Sequence, residues 1–174
     1  MTAQAMAAGL LKGSPDAQAT VLSGGSAQDV AAVVQVRSES PGKPTIKVTL
    51  SRLEGNIHNI WEVTEVQTDH IAITFPAEHA SLSSPVTVTG NGNAFEGQVG
   101  FVSVLDHLYN EVGRVEAVGK NGMGPTPFTA QVAYHTTFRE GTQEGLLTLF
   151  SYSAADGKIN GAVILKVLLG VPSS

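Results

Sequence analysis

Along most of the chain apolar and polar residues alternate with period two. Ile46, Val48 and Leu50 are set against Lys47, Thr49 and Ser51, the pattern of a strand with one face buried. Phe128, Ala130, Val132 and Tyr134 do the same against Thr129, Gln131 and His135. Further strands are predicted over Val30–Val36 and Asn59–Gln67, at Ile71–Phe75 and Val86–Thr89, and over Glu111–Val118, Leu146–Tyr152 and Ile159–Leu169. Phe95–Asp106 is long and apolar on both phases, which predicts a bulge or burial of both faces. Helical spacing occurs once, at Met6, Leu10 and Leu11, so a helix is expected over Ala3–Leu11, stopped by Gly13, Ser14 and Pro15. Pro15–Leu22 reads as a further helical turn or irregular chain, and Gly24–Gly25 as a loop.

Glycine, proline and asparagine punctuate these runs. Gly90–Asn93 reads as a turn, Gly119–Pro127 as a loop, and Asp156–Gly157 as a hairpin turn, because glycine reaches positive φ without steric cost. The stretch from Pro76 to Pro85, with Ser81, Ser83 and Ser84, has the composition of a linker with hinge freedom. The organisation predicted is a small α+β unit over 1–69, one helix plus a three-stranded antiparallel meander. An immunoglobulin-like β-sandwich of about seven strands over 70–174 follows it, so the fold class is mostly β.

Composition narrows the function. Of 174 residues 42% are hydrophobic and 14% charged, which supports a packed core. The net charge of −5 argues against a nucleic-acid partner. The absence of cysteine removes disulfides, thiolate nucleophiles and Cys-ligated zinc. The longest apolar run, Ala162–Leu169, is broken by Lys166 and falls short of a membrane helix, and Met1–Leu11 lacks the basic start of a signal peptide.

Little in the sequence carries chemistry. Five histidines are present, and Asp69–His70, Glu78–His79 and Asp106–His107 are acid–histidine neighbours. Adjacent residues of a strand point to opposite faces, so no metal site is expected. No Gly-x-Ser-x-Gly elbow occurs, and no catalytic residue, cofactor or enzyme activity is expected. Candidate ligand contacts are Trp61 and Tyr109, which stack on sugar rings if exposed, and the loop residues Asn91, Asn93 and Glu96. The alternative for Trp61 is a place in the small sheet's core. For Glu96 it is a carboxylate that accepts backbone N–H bonds, and for Asn91 and Asn93 a tight turn. Tyr152, before a turn, is expected to tie that turn through its hydroxyl. A ligand pocket or hydrolase site in the first unit would need His58 and Glu62 to converge on a face left open by Val34, Val48 and Leu50.

Ser84-Pro85-Val86, Val88-x-Gly90, Ala94-Phe95-Glu96-Gly97, Gly124-x-x-Pro127-Phe128, Phe150-Ser151-Tyr152-Ser153 and Asp156-Gly157 appear in an order that resembles the immunoglobulin-like domain associated with bacterial spore germination. The resemblance covers about residues 70–170. It departs at Asp106–Val112, where a short Asp-Gly turn is more usual. It implies a β-sandwich without catalytic residues and an extracytoplasmic setting in a bacterial envelope protein, often a lipoprotein. The partner it implies is a protein or cell-wall glycan. Asn59-Ile60-Trp61-Glu62-Val63 is similar to a closing strand of nuclear-transport-factor-like α+β modules, in truncated form. Homo-oligomerisation through sheet edges stays open.

Overall fold

The computed structural model describes residues 18–37, 45–52, 60–120, 124–136 and 138–171. Among them every regular element is a strand. The helix expected over Ala3–Leu11 is not borne out: the described residues contain none, and 3–11 lie outside them. The chain divides into two compact units. One comprises 1–69 with 152–162, the other 70–151 with 163–174.

In the first unit β1 (Ala19–Gly24), β2 (Ala31–Arg37), β3 (Thr45–Arg52) and β4 (Trp61–Thr68) form an antiparallel meander in that order. Among the described residues this is four strands, where three were expected. The stretch read as irregular is β1, because Thr20 and Val21 pair with Gln35 and Val34 of β2. One face carries Val34, Val36, Ile46, Val48, Leu50 and Val66, all buried, as the alternation requires. Thr68 seals one end: its hydroxyl donates to the Ala162 carbonyl and accepts from the Ala162 N–H, both at 2.9 Å. The β1–β2 turn is held by Asp29, whose carboxylate accepts from Ser26 N at 2.8 Å, and by Arg52, which donates to the carbonyls of Ala27 and Ser26.

Among the described residues the second unit holds eight strands, where about seven were expected. These are β5 (Ile71–Phe75), β6 (Ser81–Leu82), β7 (Val86–Asn93), β8 (Gln98–Leu105), β9 (Glu111–Val118), β10 (Pro125–Val132), β11 (Thr142–Tyr152) and β12 (Ile159–Gly170), the last two reaching into the first unit. β5–β7–β10 and β12–β11–β8–β9 are antiparallel ladders, and the two-residue β6 runs parallel to β12. Their inner faces close on one core, with Val88, Val102, Val104, Val132, Leu147 and Leu149 at its centre. The register of β8 slips between Gln98 and Gly100, so the core phase passes from Val99 to Val102. That bulge accounts for apolar residues on both phases.

Gly90 and Gly92 do not form the expected turn. They lie inside β7, facing inward: a Cβ on Gly90 would stand 2.6 Å from the Phe128 ring and collide with the Ala72 carbonyl. Phe128 is the direct cross-strand partner of Gly90, so its ring covers the missing side chain. The turn falls instead at Glu96–Gly97.

The residues read as a linker are built into the second unit. His79 N donates to Lys166 O, and Leu168 N donates to Ala80 O. Tyr134, fully buried, donates its hydroxyl to Leu82 O at 2.8 Å and Gly170 O at 3.1 Å, while its N–H donates to Ser84 Oγ. Tyr134 therefore ties the segment before β7 to the end of β12. Burial pushes the Tyr134 phenol above its ordinary pKa, with the Gly170 bond pulling the other way. The Asp156–Gly157 hairpin forms as expected, with Gly157 at φ 69°.

Candidate functional site

The β8–β9 hairpin ends in a tip built by one carboxylate. Asp106 Oδ1 accepts from Leu108 N at 2.8 Å and Asn110 N at 2.9 Å, and Oδ2 accepts from Asn110 Nδ2 at 3.0 Å. Backbone bonds Asp106 N to Asn110 O and Tyr109 N to Asp106 O close the turn. This is how aspartate folds a loop on itself. Desolvation of Asp106 opposes ionisation. The Asn110 side chain and backbone, the Leu108 N–H and the neighbouring His107 nevertheless hold its carboxyl below the usual range. Tyr109 is thereby kept at φ 64°, in the left-handed region, and Leu108 and Tyr109 stand 66% and 47% exposed. A loop that spends its polar groups on itself and turns an aliphatic and an aromatic side chain to solvent is suited to contact rather than to chemistry.

The β7–β8 hairpin lies at the other end of these strands, about 23 Å away by the rise of β8. Phe95 and Gln98 exchange backbone bonds in both directions at 2.9 Å around Glu96 (φ 51°) and Gly97 (φ 88°), a two-residue turn with both central residues at positive φ. Glu96 is exposed at its apex. Phe95, 63% exposed, and Val118 flank Gln98, whose amide donates to Glu116. Asn91 and Asn93 are on the outer side of β7, half-buried and exposed, opposite Pro127 and Pro125. The structure thus gathers Asn91, Asn93 and Glu96 near one end of the unit and sets Tyr109 at the other.

Trp61 begins β4 in the first unit, half-buried, with the Arg52 guanidinium 4.9 Å from its ring centroid. His58 lies outside the described residues. Val34, Val48 and Leu50 are buried on the face that a pocket beside Glu62 was expected to need. His70 Nε2, on a half-buried ring, stands 3.3 Å from the Oγ of the buried Ser151. His79 and Glu78, 3.8 Å apart, are exposed on the β5–β6 loop. Among the described residues no three acidic or histidine side chains cluster as metal ligands, and no helix is long and apolar enough to cross a membrane. Asp106 is named in the sequence analysis as the neighbour of His107 and as the start of a departure from the family pattern, but not as the residue that builds this tip. Its signal was local, an aspartate four residues before an asparagine between two strands.

Two antiparallel ladders closing on one core, with a tyrosine riveting the segment before β7 to the end of β12, define the second unit as an immunoglobulin-like β domain. Residues 70–158 match the sequence model of the immunoglobulin-like domain of bacterial spore germination. That is half of the chain, and the chain belongs to this family. No curated protein and no solved structure matches it.

Proposed function

We propose that the chain is a non-enzymatic interaction module of a bacterial envelope protein that acts outside the cytoplasm. Residues 70–174 form the binding domain. It binds a protein partner or a cell-wall component through the loops at the ends of its sheets. The observation that carries this reading is the Asp106–Asn110 tip, where a preorganised loop offers Leu108 and Tyr109 to solvent with little ordering left to pay on binding. Family membership supports the non-catalytic part and the envelope setting.

A second reading, a cell-wall glycan site, is favoured by the exposure of Tyr109, since an aromatic ring fixed by a strained backbone stacks on a sugar at low entropic cost. Retention of the purified chain on cell-wall sacculi, with and without their attached polymers, separates the two. Retention that disappears with the polymers and with Tyr109→Ala supports the glycan reading. Binding to an envelope protein in crosslinked cells, weakened by Leu108→Ala, supports the protein partner. If neither substitution alters any retention, the tip is not the contact.

A further inference from the structure

Val66, Val48, Val34 and Val21 are successive cross-strand partners in the meander of the first unit, so their side chains form one row on one face. The first three are buried, whereas Val21, on β1, is 60% exposed. The apolar row therefore runs off the end of the sheet unfinished. All six residues of β1 are exposed, and among the described residues its single ladder partner is β2. The strand's outer backbone N–H and C=O groups are the chemistry that another strand completes. Natural edges are guarded by charge, proline or a bulge. From Gln18 to Ser26 this edge carries no charge and no proline, and the register slip after Val21 is its guard.

We infer that β1 is half of an isologous strand pair, through which two copies of the chain join edge to edge and antiparallel. A two-fold axis near Val21 sets Val21 against Val21 of the second copy and carries the valine row across the junction. A second copy fits this edge because like meets like without repulsion, the strand being uncharged. The strand's ends carry opposite charges, with Arg37 N bonded to Gln18 O at one and Asp29 holding the turn at the other. The axis therefore brings Arg37 of each copy toward the Asp29 end of its mate. The register slip after Val21 makes Leu22 an extra, unpaired residue, which raises the twist and keeps the junction short. The dimer is accordingly weak and dissociates on dilution.

Sedimentation velocity on the whole chain over a concentration series tests this. The expected result is a monomer–dimer equilibrium whose dissociation constant rises at least about tenfold in Val21→Lys, since two lysines then face each other across the axis. Circular dichroism should be unchanged, because the side chain is exposed. The chain has no cysteine, so Val21→Cys reports independently. Directly opposed strand positions lie within disulfide reach, and mild oxidation should give a covalent dimer that the equally exposed Val118→Cys does not. A chain that is monomeric throughout the series overturns the inference. So does a dimer indifferent to Val21→Lys, or a Val21→Cys chain that crosslinks no better than Val118→Cys.

Discussion

The hydroxyl of Tyr134 offers a test of how the second unit is held together. In Tyr134→Phe the ring remains and no cavity opens, so the change isolates the polar contribution. One proton serves two carbonyls, the shorter bond being to Leu82 O at 2.8 Å. A neutral hydrogen bond contributes about 1 kcal/mol net, and a buried carbonyl left unpaired costs about 1–3 kcal/mol. Leu82 is buried and Gly170 half-buried, so the expected loss is about 2 kcal/mol. With a urea slope of about 2 kcal/mol per molar, the midpoint followed by far-UV circular dichroism falls by about 1 M. The pH profile gives a second readout. The phenol's pKa is raised in the folded chain, so its contribution is complete below about pH 10 and is lost as pH climbs through the folded value. The wild type should therefore lose stability in alkali more steeply than Tyr134→Phe. A midpoint shift below about 0.2 M, or parallel alkaline profiles, would refute the claim that this hydroxyl rivets the segment before β7 to the end of β12.

Other consequences follow from single side chains. Asp106→Ala should leave the global melting transition nearly unchanged while the Leu108 and Asn110 amides lose hydrogen-exchange protection, because their acceptor is gone. Acid should do the same to the wild type. The folded carboxyl is depressed, so tip order is present above about pH 4 and is lost as pH falls through the lower folded value, as amide NMR would record. Glu96→Asn should raise stability by about 0.5–1 kcal/mol in denaturant titration, since asparagine tolerates the left-handed φ that glutamate bears at the first position of this turn. Gly90→Ala should cost about 2–3 kcal/mol by the same measurement, because the new methyl has no room against Phe128 and the Ala72 carbonyl.

What could be read beforehand was whatever is local. Ile46, Val48 and Leu50 lie buried on one face as their spacing predicts. So do Phe128, Ala130, Val132 and Tyr134. Val163, Ile164 and Leu165 are consecutive and all buried, so alternation carries no phase there and both faces of β12 are covered. The errors share a cause, which is that the deciding partner is remote in sequence. Gly90 looks like a turn residue until Phe128 and Ala72 are beside it. Tyr134 closes an apolar run as many core residues do, and only the packing of Leu82 and Gly170 around it shows what its hydroxyl ties. β1 is short and wholly exposed, so no buried face marks it, and pairing with β2 alone makes it a strand. For the candidate contacts, residue type pointed to Tyr109, but the device that displays it belongs to Asp106. Trp61 drew notice as the single tryptophan, and the structure pairs it with Arg52.

The meeting of Gly90 with Phe128 also bears on how this domain can drift. Neither residue is free to change alone: a larger residue at 90 has nowhere to go, and a smaller one at 128 uncovers the gap over the glycine. Descendants of this sequence should therefore keep the two together or exchange them together, bulk moving from one strand to the other. Such linked replacement at positions 38 residues apart would be a hereditary trace of β7 lying against β10, legible in a family tree without any coordinates.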